Sequence, residues 1–132
     1  MFPVPVAVGL IVCEKVIVEE GTRNVSLISA FSRVRVTDFP ARPQPFCVFA
    51  TLLDGEGDAT VSLEIAHSET GEDVYALEQV VSFPNRLAEV RVLFRVNRCV
   101  FPSPGVYQLA LFVDGDWVAH RLLSVLPVED SP

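Results

Sequence analysis

The residues best suited by type and spacing to do chemistry are five acids in two short segments. Asp54, Glu56 and Asp58 alternate with glycines, and Asp114 and Asp116 flank Gly115. Calcium takes hard oxygen ligands from flexible loops, so the two segments together are a candidate cation or small-ligand site. The spacing departs from the EF-hand loop, because the twelfth position counted from Asp54 is Ile65, which has no oxygen-bearing side chain. Gly and Asp are also the residues that tight hairpins select for their backbone geometry, and that reading is preferred.

His67 and His120 are the only histidines, and no short-spaced set of ligands accompanies either, so a zinc site is not expected. Cys13, Cys47 and Cys99 form no CxxC pair, and their odd number leaves at least one thiol free. Each lies among strand-forming residues and reads as a buried, unreactive thiol. No GxSxG elbow is present, and Gly55 and Gly57 precede no helix that could cradle a phosphate. The sequence therefore points away from an enzyme, and it calls for no cofactor.

Composition narrows the partners. The chain has 132 residues, net charge −7 and a calculated pI near 4.7. Nucleic-acid binders displace counterions with a basic stripe, and here the basic residues are outnumbered by acids and scattered. Arg91, Arg95 and Arg98, with Arg33 and Arg35, come nearest to a cluster, but they alternate with apolar residues as a solvated sheet face would. Half of the residues are apolar and the mean hydropathy is +0.40. A core buried on both sheet faces is the preferred account of that surplus, and a further buried face, such as a homodimer contact, is the other.

The elements that must position these residues are strands. No window sustains the i, i+3, i+4, i+7 apolar pattern of a helix, while short Val-, Leu-, Ile- and Phe-rich runs end at Gly, Pro, Asp or Asn. Eight strands are expected: 7–19, 25–37, 46–53, 59–67, 74–83, a run around 90–96, 106–113 and 117–126. Within 25–37 the apolar phase changes between Leu27/Phe31 and Val34/Val36, which predicts a bulge or a bend from one sheet to another. Residues 1–6 read as a lead-in and 127–132 as a loose polar tail to one domain, 1–132. The first residues lack the basic and small-residue features of an export signal, and the apolar stretch there is too short to span a bilayer. With a free thiol besides, a cytoplasmic location is expected. The expected fold is all-β, a two-sheet antiparallel sandwich of immunoglobulin-like or C2-like appearance.

Several segments resemble a family of small bacterial all-β proteins known only as a domain of unknown function. They are Cys13-Glu14, Val25-Ser-Leu-Ile28 with Phe31, Phe39-Pro40, Leu53 to Gly57, Phe101-Pro-Ser-Pro-Gly-Val-Tyr107 and Val113-Asp-Gly115. The likeness covers nearly the whole chain and implies a compact β-sandwich, with no activity or site residues to transfer. The Pro-Gly-x-Tyr-x-Leu stretch, Pro104 to Leu109, is also similar to many immunoglobulin-like sandwiches.

The last two strands form a hairpin whose register decides which residues face out. A two-residue Asp114-Gly115 loop would pair Leu109 with His120. A three-residue loop instead aligns Tyr107, Leu109, Leu111 and Val113 with Leu123, Arg121, Ala119 and Trp117, one apolar row in which Arg121 needs a partner. The second is preferred, which puts Ala110, Phe112 and Val118 on the outward row, with Phe49 and Leu53 as further outward residues of the third strand. These five are the candidate interaction surface. The leading expectation is a non-enzymatic interaction or assembly module that binds itself or another protein by a sheet face or edge. A loop-based cation site is the alternative.

Overall fold

The structure, a computed structural model, describes residues 4–128, and those residues form strands, turns and loops with no helix among them. None of the described elements is therefore a helix long and apolar enough to cross a membrane. Nine strands follow one another: β1 (Val6–Val18), β2 (Val25–Ala30), β3 (Arg33–Val36), β4 (Phe46–Leu53), β5 (Gly57–His67), β6 (Asp73–Phe83), β7 (Val90–Val96), β8 (Gly105–Val113) and β9 (Asp116–Pro127). They make two sheets, β2-β1-β4-β7 and β3-β9-β8-β5-β6. The five-stranded sheet curls into a half-barrel.

Both sheets feed one core. Val12, Val48, Leu52 and Val92 enter it from the four-stranded sheet, and Leu63, Ile65, Leu109 and Leu123 from the five-stranded one. Leu52 and Leu63 are fully shielded from solvent. Each such side chain contributes roughly 1.5–3 kcal/mol relative to an exposed one.

Nine strands stand where eight were expected, because the run 25–37 divides at its change of apolar phase. The Phe31 N–H donates to the Val12 carbonyl in one sheet, at 2.9 Å, and the Ser124 N–H donates to the Ser32 carbonyl in the other, also at 2.9 Å. The chain thus changes sheets between two consecutive residues. The phase change marks the place where the side that faces the core reverses.

The expectation of purely antiparallel pairing needs correction as well. β3 runs parallel to β9, with Arg33 opposite Ser124 and Val36 opposite Pro127. A strand that arrives from the other sheet need not obey the hairpin rule, since its direction is set by the crossing. The tail is held further than expected: β9 includes Pro127, and the Val128 N–H donates to the Val36 carbonyl at 2.9 Å. The rest of the expected loose tail, 129–132, and the first three residues of the lead-in lie outside the described residues.

The β8–β9 hairpin combines the two registers. Tyr107, Leu109 and Leu111 face Leu123, Arg121 and Ala119 as the three-residue loop requires, but the register then shifts, and Phe112 faces Trp117 while Val113 faces Asp116. The bulge takes up one residue at Val118, so the loop itself is short. Arg121 finds its partner across the core, where Nη1 donates to the Leu10 carbonyl of the other sheet at 2.9 Å.

Candidate functional site

The five acids do not gather. Asp54 and Asp114 have φ of 61° and 48°, the left-handed backbone that a tight turn needs. The Asp114 carboxylate accepts the Thr60 N–H at 2.9 Å, and the Asp58 carboxylate accepts the Ser82 hydroxyl. Glu56 and Asp116 are exposed. Among the described residues, no three His, Cys, Asp or Glu side chains converge as a metal site would require. Asp58 and Asp114 thus fasten the start of β5, and Asp54 turns the chain into it.

The histidines are equally local. His67, 8 % exposed, accepts the Glu69 and Thr70 N–H groups on Nδ1 at 3.2 and 3.4 Å and meets the Tyr107 ring edge-on at 5.0 Å. It closes the β5–β6 turn, with its ring proton on Nε2. His120 is exposed, opposite Ala110 and beside the Trp117 ring at 5.1 Å. No buried side-chain polar atom among the described residues lacks a hydrogen-bond partner, so none is left waiting for a ligand.

A hollow of about 580 Å³ lies where β2 gives way to β3. Phe31, Val34 and Phe46 line it together with Pro43 and Pro45, and Glu14, Lys15 and Arg33 bring charge to it. Arg35 also lines it and reaches the Pro127 carbonyl at 3.5 Å. It offers apolar surface edged by charges of both signs.

The outer faces of the two sheets are more informative. Leu10 and Val12 point to the core, so Ile11 and Cys13 point away from it. An extra residue at Gly9, φ 72°, shifts the register between Val8 and Leu10 and returns Val8 and Val6 to the outer side. Opposite them on β4 stand Cys47, Phe49, Thr51 and Leu53. Ile11, Phe49 and Leu93 form one row across three strands, and Val6 faces Leu53 in another. Val6 and Val8 are each 51 % exposed. The charged side chains on this face within the strands are Lys15, Arg91 and Arg95, all cations in a chain of net charge −7.

Val12 and Val48 belong to the shared core, whereas Cys13 and Cys47, although buried, do not. They face each other directly across β1 and β4. The Cys13 thiol donates to the Lys15 carbonyl at 3.3 Å. Its pKa is raised, first by burial and then by the neighbouring Cys47, while the hydrogen bond opposes both. Cys99 is a core residue proper, and burial pushes its thiol up to about 12.

The outer face of the five-stranded sheet is also apolar at its centre but carries the opposite charge. Phe112 faces Ser62 on one side and the half-exposed Trp117 on the other, and Ala110 lies between Glu64 and His120. Across β5 and β6 the charged residues of this face are Asp58, Glu64, Asp73 and Glu78, with Arg33 and Arg35 at the far edge on β3. A hollow of about 260 Å³ opens here, lined by Phe112, Ala110, Gln108 and Glu64 among others.

Of the five expected interaction residues, Phe49 and Leu53 therefore lie on one sheet, and Ala110 and Phe112 on the other. Val118 is not on the outward row. The bulge turns it inward, where it packs against the core, and Trp117 takes its place outside. The Cys13–Cys47 pairing, the exposed Trp117 and the opposite charges of the two faces escaped the sequence, since each depends on which strands become neighbours.

No curated protein matches the chain. The sequence model of DUF6941, a family of unknown function, matches residues 9–126, which takes in every strand from the fourth residue of β1 to nearly the end of β9. The chain belongs to that family.

Proposed function

We propose that the protein is a non-catalytic assembly module in which the outer face of the four-stranded sheet of one copy docks on the outer face of the five-stranded sheet of another. The observation that carries this reading is the complementarity of the two faces. One sets Ile11, Phe49 and Leu93 beside Lys15, Arg91 and Arg95, and the other sets Phe112, Ala110 and Trp117 beside Glu64 and Glu78. Apolar centres supply affinity, and opposite charges select the orientation. Two different patches that bind each other make a head-to-tail contact, which closes into a ring or extends as a filament.

The same reading takes the two sheets to be an immunoglobulin-like sandwich. Support comes from the shared core, the crossing of one edge strand to pair in parallel, and a Tyr107 hydroxyl that donates to a carbonyl four residues upstream. Three free thiols suit a reducing, cytoplasmic setting. The acidic balance argues for protein partners over nucleic acid. Neither membrane nor cofactor enters the proposal. A calcium-binding role has little support, because the loop acids are engaged separately.

Light scattering after size exclusion tests the assembly. The wild-type mass should rise with concentration, and Phe49→Asp and Phe112→Asp should each give monomers. An equimolar mixture of the two variants should recover a dimer, since each retains the face that the other has lost. A back-to-back dimer would instead survive Phe112→Asp. A wild-type protein that stays monomeric at all concentrations would overturn self-assembly.

A further inference from the structure

We propose that Cys13 and Cys47 are a redox pair that closes into a cross-strand disulfide when hydrogen peroxide oxidises it, with Cys47 as the attacking sulfur and Cys13 as the resolving one. This inference rests on the β1–β4 register and not on the assembly reading. Residues 34 positions apart in sequence face each other with no intervening strand. Their side chains leave the sheet on the same outer side, with Arg95 next in the row beyond Cys47 and Ala30 beyond Cys13.

Directly opposed residues of an antiparallel pair hold their Cβ atoms about 4.5–5.5 Å apart. A relaxed disulfide prefers about 3.8 Å, so the bond is within reach of a small backbone adjustment. A bond made under such tension is readily reduced again, which suits a switch better than a permanent brace.

The two sulfurs are not equivalent. Cys13 is 0 % exposed and its S–H is engaged with the Lys15 carbonyl, whereas Cys47 is 4 % exposed. The engaged S–H and raised pKa of Cys13 make it the slower of the two to meet peroxide. In the first step the Cys47 sulfur attacks one peroxide oxygen, the O–O bond breaks, and the departing oxygen leaves as water with the Cys47 proton. Cys47 is then a sulfenic acid. In the second step the Cys13 sulfur attacks the Cys47 sulfur, the S–O bond breaks, and a second water leaves with the Cys13 proton. The two sulfurs give up two electrons in all, and peroxide becomes two waters.

Cys99 is the internal control, a thiol of the same chain that sits within the core and has no cysteine opposite it. The test treats the dilute native protein with hydrogen peroxide and maps peptides by mass without reduction. The expected product is a Cys13–Cys47 crosslink that forms about tenfold faster than Cys99 is modified and that dithiothreitol reverses. In Cys13→Ser, dimedone should trap a sulfenic acid at Cys47, and in Cys47→Ser labelling at Cys13 should be far slower. Oxidation of all three cysteines at one rate, overoxidation of Cys47 without a crosslink, or reaction only after unfolding would each overturn the proposal. The wild-type map decides the matter even where a variant fails to fold.

Discussion

The Tyr107 hydroxyl donates to the Ser103 carbonyl at 2.6 Å, across the corner by which the chain enters β8. The ring is fully buried, between the edge of Phe101 at 4.7 Å and that of His67 at 5.0 Å. The same hydroxyl accepts the Ser103 N–H at 3.4 Å, so one side chain fixes the path of 103–107 from the core. Tyr107→Phe keeps the ring and removes the hydroxyl, leaving the Ser103 carbonyl and N–H to find other partners. Urea unfolding should show a loss of about 1–2 kcal/mol with an unchanged m-value. A variant as stable as the wild type would mean that water replaces the hydroxyl at this corner.

Gly105, at the start of β8, has φ 147°, and a Cβ there would lie 2.7 Å from His67 Nε2. The His67 ring is pinned from its other nitrogen by two backbone N–H groups, so it has little room to retreat. Gly105→Ala should cost roughly 2–3 kcal/mol through backbone strain and the displaced ring. Gly115→Ala provides the comparison, because that position has φ 85° but open space around it. It should cost only about 1 kcal/mol. Equal losses in parallel thermal melts would show that His67 moves freely and that its turn is softer than its hydrogen bonds imply.

Cys99 links stability to alkaline pH. Its thiol is raised from 9.0 to about 12 by burial, so the folded protein holds this proton more tightly than the unfolded chain does. The contribution is fully present below pH 9 and is lost as pH rises from there towards 12. Its full size is roughly 4 kcal/mol. Cys99→Ala should flatten the stability profile in this window relative to wild type, whatever its effect at neutral pH. Identical slopes for the two proteins would show that Cys99 ionises as easily folded as unfolded.

The strands themselves were legible because alternation is local. β4 begins at Phe46 and ends at Leu53 as its apolar run and the following Asp54-Gly55 dictate, and the phase change before Val34 marks a real passage between sheets. Neighbour relationships were not legible. Nothing near Arg33 announces that it will lie parallel to Ser124, and nothing near Cys13 selects Cys47 over Cys99. The β8–β9 hairpin falls between these cases. Its three inner pairs follow from matching apolar rows, but the bulge that sends Trp117 outward and Val118 inward is a local slip that alternation cannot register. The candidate surface suffered for the same reason, since Phe49 and Phe112 were both identified as outward without any sign that they face away from different sheets.

The parallel contact between β3 and β9 has a kinetic side. Arg33 to Val36 can find their places only when Ser124 to Pro127 are present to receive them, and no hairpin or local turn brings the two together. About two thirds of the chain must be looped out before this pairing returns any energy, and the entropy of that loop is lost first. Folding should therefore be slow for a domain of this size, on the scale of milliseconds to seconds. Until the loop closes, the edge of β9 that β3 covers stays open, and an open edge can pair with a neighbouring chain.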